Sequence, residues 1–290
     1  MGETTIVDNK PRYALGNGKR RFVETAVWLF FMITSLVPFL AMIMTSLLPA
    51  YGLDVSWDHL SLKNYSFILA ESPDTQLALR NSLQLAVVTA LAGIVIGTLF
   101  AYLQVRKPSR WKRLAGIFIG LPYALPGTVM ALSMIFTWME PIPGWNPGIY
   151  GSISILFIAY FTRFLILQVR GSTTAILQVD RSMEEAAQVS GAAGWAKWQR
   201  ILIPLLMPGM LGGAALVFLT ALTELTVSSL LYSAQSKTIG VVIFGYEQAG
   251  YTTYSTAFSS LIVILILSGF ALLLVAQWLW KRKEGVVRDH

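Results

Sequence analysis

Residues 25–53 contain no charged side chain, and a helix needs only about 20 apolar residues to cross the hydrocarbon core of a bilayer. Several further stretches are almost as clean. Only 13% of the 290 residues are charged, where a water-soluble domain carries roughly a quarter. That is too little charge to cover a surface facing water, so lipid is the expected solvent. The expected fold class is all-α, a polytopic membrane protein with six transmembrane helices.

The predicted spans are 27–48, 81–105, 114–139, 150–169, 204–223 and 257–280. They define a 25–280 six-span domain between a 1–24 tail and a 281–290 tail. Six crossings put both termini on one side, and the basic residues say which. Lys10, Arg12, Lys19, Arg20 and Arg21 lie in the first tail, and Lys281, Arg282, Lys283 and Arg288 in the last. Arg106, Lys107, Arg110, Lys112 and Arg113 fill the 2–3 loop, and Arg170, Arg181, Lys197 and Arg200 the 4–5 loop. The other face has only Lys63, Arg80 and Lys237. The positive-inside bias makes the crowded face, and both termini, cytoplasmic. This topology accounts for the net charge of +7 without nucleic acid. The first 24 residues lack a small-residue cleavage site after a short apolar run, so the first span is expected to be an uncleaved anchor. The external loop 49–80 carries Asp54, Asp58, Glu71 and Asp74, either as a solvated connection or as a surface for an outside partner.

Chemistry within the chain is restricted. With no cysteine, and only His59 and His290 as imidazoles, neither a disulfide framework nor a thiolate or zincin-type metal site is expected. There is no GxxxxGK[ST] phosphate loop, so any ATP hydrolysis belongs to another chain. No span holds a histidine or a pair of carboxylates, which argues against intramembrane catalysis.

The 4–5 loop, 180–204, reads DRSMEEAAQVSGAAGWAKWQRILIP. Ser182 and Glu185 have the spacing of a capping box, predicting a short helix that begins at Ser182. Glu184 and Glu185 in its first turn suit the helix dipole. Ala186 and Ala187 leave a slim face, and Gly191 is placed to end the helix with positive φ. A second amphipathic piece, 195–203, leads through Ile201 and Pro204 into the fifth span. The loop is either a plain surface helix or a docking element.

Within the membrane, Pro122 and Pro126 each remove an amide donor, which lipid does not tolerate unless protein or a water-filled cavity covers the break. They mark a kink, a hinge or a path lining. Arg163, placed about six residues from the cytoplasmic end of the fourth span, either snorkels or gates. Glu224 lies about 20 residues past Pro204 and so near the outer surface, either as a span terminus or at a pore mouth. Gly93 and Gly97, Gly116 and Gly120, and Gly209 and Gly213 form small-xxx-small packing pairs. Tyr232, Tyr246, Tyr251 and Tyr254 fit an aromatic belt.

The spacing Glu185-Ala186-Ala187, three residues, Gly191, nine residues, Ile201, Pro204 resembles the EAA loop of binding-protein-dependent ABC importer permeases. Ile203 stands where the family usually has leucine. The resemblance implies a type I ABC importer permease fold in a plasma (inner) membrane, with the loop as a coupling helix seated in a cytoplasmic ABC ATPase dimer. Glu184, Glu185, Ala186, Ala187, Gly191, Ile201 and Pro204 would then be the coupling residues. Pro122, Pro126, Arg163 and Glu224 would be candidates for the translocation path. It implies no cofactor in this chain, ATP and magnesium being bound by the ATPase, and two further partners: a second permease unit and an external substrate-binding protein. The strings LPYALPGTVMAL at 121–132, YFTRF at 160–164 and TELTVSSLL at 223–231 look most like ferric-iron-type permeases, in particular the second half of their two-half chains. Polyamine, sulfate, thiamine and phosphonate permeases share much of this pattern. A non-transport membrane scaffold would not need the Glu185-to-Pro204 spacing. A cysteine introduced at position 185 should react with a membrane-impermeant maleimide only in inverted vesicles; reaction in right-side-out vesicles would reverse the topology.

Overall fold

The computed structural model describes residues 16–54, 56–139, 148–189 and 194–288. The regular structure among them is helical. Besides short helical pieces at Trp57–His59 and 63–71, it comprises in chain order α1 (Gly18–Leu47), α2 (Pro73–Arg106), α3 (Arg110–Ala124), α4 (Gly127–Met139), α5 (Ile153–Gln178), α6 (Arg181–Val189), α7 (Gly194–Leu222), α8 (Ser228–Leu231), α9 (Ile239–Gln248) and α10 (Thr252–Arg288). Helices α1, α2, α5, α7 and the 252–271 part of α10 are each long and apolar enough to cross a membrane.

The expected third span, 114–139, is sharply broken. It is two helices, α3 and α4, bent by 108°. Pro126 cannot donate to the carbonyl of Pro122, so the α-helical ladder stops there. The fourth helix is also longer than expected. It runs on to Gln178, because Arg170 and the threonines after it remain helical beyond the apolar run. Arg163 therefore lies in the middle of α5, not near its end.

Local chemistry starts the helices where they start. Ser72 accepts from the Thr75 amide at 3.3 Å with Pro73 in the first turn of α2, and Ser109 accepts from the Lys112 amide at 3.3 Å for α3.

The chain divides into two compact units, one of Met1–Asn64 with Thr256–His290, the other of Tyr65–Ser255. In the first, the Asn64 amide donates to the carbonyls of Ser46 and Leu48 at 2.8 Å each, fastening the end of α1. The second holds a core of α2, α5 and α7. On α2 the buried positions include Ala78, Ala86, Ala90, Gly93, Gly97 and Ala101, while Leu83, Val87, Leu91, Val95 and Leu99 are exposed. Small residues face protein and large apolar residues face outward, the arrangement expected when lipid, not water, surrounds the helices.

The glycines set how closely these helices approach. A Cβ at Gly97 would meet Gln168 Cγ at 2.8 Å, and one at Gly171 would meet the Gly213 Cα at 2.8 Å and the Gly209 carbonyl at 3.1 Å. The small-xxx-small pairs read from the sequence thus sit at helix contacts, with Gly171 as an added member. Gly171→Ala should lower stability by about 1–3 kcal/mol, because backbone on the facing helix cannot move aside. Gly212→Ala, with nothing within 4 Å of its Cβ, should be neutral or slightly stabilising. Thermal unfolding of both variants in detergent checks the contrast.

Candidate functional site

Only Val179 and Asp180 separate α5 from α6. Asp180 Oδ1 accepts from the Ser182 amide at 2.8 Å, and the Asp180 carbonyl accepts from the Met183 amide at 3.2 Å. The N-cap is therefore Asp180, not Ser182, and the expected capping box does not form. Aspartate is as good a cap as serine, and it comes two residues earlier. Glu185, left without that role, lies 3.6 Å from Arg181 on an exposed surface.

Glu184 points the other way and is 6% exposed. Its Oε1 accepts from Arg106 Nε at 2.6 Å, and its Oε2 accepts from the Tyr102 hydroxyl at 2.8 Å and from Lys197 Nζ at 3.2 Å. Arg106 Nη2 also donates to the carbonyls of Val179 at 2.7 Å and Ile176 at 3.3 Å, at the end of α5 where helical partners run out; the Ile176 carbonyl also accepts from the Val179 amide at 3.3 Å. Trp198 packs edge-on against Tyr102 with ring centroids 4.8 Å apart. One carboxylate thus joins α6 to the end of α2 and the start of α7, while its arginine closes the end of α5. Burial pushes the Glu184 carboxyl up, but hydrogen bonds from Tyr102, Lys197 and Arg106, with the charge of Arg106, outweigh it and hold the group below its ordinary value.

With Glu184 turned inward, α6 presents Met183, Ala186 and Val189 outward at a three-residue spacing, Val189 being 91% exposed. A short helix fixed on one side and apolar on the other suits docking. Among the expected coupling residues, Ile201 is half-buried and Pro204 lies in the first turn of the Ile203–Leu222 segment. Gly191, and the side chain of Ala187, lie outside the described residues.

A second constellation gathers at the α3–α4 break. The Pro122 carbonyl loses its helical donor because residue 126 is proline. Arg163 Nη1 supplies donors instead, to Leu125 O at 3.1 Å and Pro122 O at 3.4 Å. Arg163 therefore does not snorkel; it satisfies the break. Glu224 is 8% exposed. Its carboxylate accepts from the Val227 amide at 2.9 Å, the Ser228 amide at 3.0 Å and the Thr226 hydroxyl at 2.7 Å, closing the turn before α8. A Cβ at Gly127 would overlap Thr226 Oγ1, so only glycine lets the start of α4 touch the turn before α8. Pro122, Pro126, Arg163 and Glu224 thus belong to two adjoining breaks. On the Tyr65–Ser255 unit the Tyr246 hydroxyl lies 2.8 Å from Ser72 Oγ, and Tyr254 stacks on Phe67 at 4.5 Å.

Sequence reasoning missed Tyr102, Arg106 and Lys197 as site residues. Arg106 counted only as a cytoplasmic charge. The available signal was Tyr102 and Arg106 four apart, on one helix face. Their partner is 78 to 82 residues away in sequence, and no spacing rule reaches that far.

The family model for the binding-protein-dependent transport system inner membrane component matches residues 93–285. The chain is 28% identical over 266 residues to the probable ABC transporter permease protein y4fN of Sinorhizobium fredii, covering 90% of this chain and 46% of that protein. It therefore spans less than half the length of that relative. It is 26% identical over 210 residues to the molybdate/tungstate transport system permease protein WtpB of Thermococcus kodakarensis, covering 72% of this chain and 80% of that protein. It is 25% identical over 232 residues to the ferric transport system permease protein FbpB of Actinobacillus pleuropneumoniae, covering 79% of this chain and 32% of that protein. In fold it is similar to a chain of a bacterial ABC transporter involved in the import of the acidic polysaccharide alginate, with a TM-score of 0.67, 16% identity, and 91% and 98% of the two chains covered.

Glu184→Gln should cost about 3 kcal/mol at neutral pH, since it leaves Arg106 and Lys197 largely buried without a counter-charge. A carboxyl whose folded pKa is depressed stabilises above its unfolded value of about 4.3, and that contribution fades as pH falls through the folded value. The stability gap between wild type and Glu184→Gln should therefore stay constant from about pH 6 to 8 and shrink below about pH 4. Denaturation at a series of pH values checks it.

Proposed function

The chain belongs to the family of binding-protein-dependent transport system inner membrane components, and from that premise we propose that it is the pore-forming permease subunit of an ATP-driven importer. In this reading a separate cytoplasmic ATPase dimer binds ATP and magnesium, and α6 seats in a cleft of that dimer. A second permease unit completes the pore, and an external binding protein delivers the substrate.

The observation behind the proposal is the Glu184 cluster. A lever transmits motion only if it is fixed to what it moves. Here α6 is held by ionic hydrogen bonds to α2 and α7, and through Arg106 to the end of α5. A push on its exposed face reaches three long helices at once. The adjoining breaks at 122–127 and 224–228 supply backbone that bends while those helices rock, as alternating access requires. In this scheme Pro122 and Pro126 act as the hinge, and Arg163 and Glu224 hold its two sides and border the path.

For the cargo we propose ferric iron. The support is the resemblance at 121–132, 160–164 and 223–231 and the similarity to a ferric permease. A second reading, an oxyanion, is favoured by the molybdate/tungstate relative, of which the chain covers 80%, and by the positive charge of Arg163 at the break.

Purification in mild detergent should recover an ATPase subunit in stoichiometric amount. Gly191→Val should reduce transport in proteoliposomes at least tenfold while ATP hydrolysis persists. Normal transport in that variant would reject the lever. Elemental and mass analysis of the ligand held by the external binding protein should find iron. Molybdate or sulfate would replace the iron reading, and a sugar or amino acid would exclude both.

A further inference from the structure

A cavity of about 540 Å³ opens between α2, α3 and α5, in the half of the unit that carries the basic loops. Two guanidinium groups line it, Arg113 from α3 and Arg170 from α5. Among the described residues neither is in an ion pair, although the buried Arg106 nearby in sequence is fully engaged. The neutral donors Gln104 and Thr173 lie beside them, and Ile117 and Ile166 form an apolar wall. Gly116 keeps the floor open: a Cβ there would meet Gln104 Nε2 at 2.8 Å.

Two like charges facing one cavity repel each other, and an anion between them relieves that cost. Arginine forks match phosphate oxygens two at a time. The volume is several times what a bare tetrahedral oxyanion fills, and the wall is hydrocarbon. Arg113 lies three residues, about 4.5 Å, along α3 from its first residue, and Arg170 eight residues, about 12 Å, from the end of α5. Both are within reach of the headgroup layer for a side chain of arginine's length. Basic pockets between membrane helices on the cytoplasmic side are where anionic headgroups bind.

We propose that the α2–α3–α5 cavity is a binding site for an anionic phospholipid of the cytoplasmic leaflet, with its phosphate between Arg113 and Arg170 and its glycerol and upper acyl chain against Ile117 and Ile166. The site stands apart from the coupling helix, and the inference does not depend on the transport reading. Occupied, it ties α3 to α5 just below the break that Arg163 closes.

The test uses the full-length chain in nanodiscs containing photoactivatable phosphatidylglycerol or the matching phosphatidylcholine. Crosslinks are mapped by peptide mass spectrometry. Phosphatidylglycerol should label the 110–124 and 153–178 segments at least tenfold more than phosphatidylcholine. The double variant Arg113→Gln, Arg170→Gln should fall to the phosphatidylcholine level, and Arg113→Lys, Arg170→Lys should keep at least half of the labelling. Equal labelling by the two lipids, or undiminished labelling in the double glutamine variant, would overturn the site. Abolition of labelling by millimolar inorganic phosphate would assign the cavity to a soluble anion and overturn the lipid. Should the glutamine variant fail to fold, the lipid ratio and the phosphate competition on the wild-type chain still decide.

Discussion

A carboxylate taken out of water must find positive charge and hydrogen-bond donors, or it will not stay ionised. At Glu184 that requirement ties together the ends of α2, α5 and α7. Its two oxygens meet an arginine, a lysine and a phenol drawn from the last turn of α2 and the first of α7. Its arginine in turn donates to two carbonyls at the end of α5. The amphipathic helix α6 therefore cannot roll: the face bearing Glu184 is committed inward, and the face bearing Met183 and Val189 is committed outward.

The same accounting of backbone groups explains the other end of the core. A proline at 126 orphans the carbonyl at 122, and in lipid an orphaned carbonyl is expensive. Arg163 resolves the cost from mid-helix on α5, and Glu224 does the equivalent for the amides before α8. Each break is satisfied by one long charged side chain rather than by a continuous ladder. Both clusters draw on α5 and on residues at the two ends of α7.

Much of this was legible in the chain. Apolar length and the bias of lysine and arginine among the loops are local quantities, summed over about 20 residues, and they forecast the helical class and the order of the long helices. The EAA spacing at 185–204 is local in the same way, and it pointed to the loop that carries α6 and the anchored Glu184. The errors came where a local rule had two solutions of similar energy. Asp180 and Ser182 are both good caps, and the earlier one prevailed because the chain leaves α5 only two residues before α6 begins. How sharply a Pro-x-x-x-Pro stretch bends is likewise open in the sequence, and the partner that satisfies the break, Arg163, is about 40 residues away.

Hydrophobic length and scarcity of charge thus determined from sequence alone that the chain is a multi-helix membrane protein. Tertiary structure alone decided that Glu184 rather than Glu185 is the anchored carboxylate, that the third span folds at 108°, and that Arg163 faces a carbonyl and not the membrane surface. The reason is physical. Partition between water and lipid acts on each segment independently, whereas a buried charge is settled only when helices far apart in sequence have come within hydrogen-bonding distance.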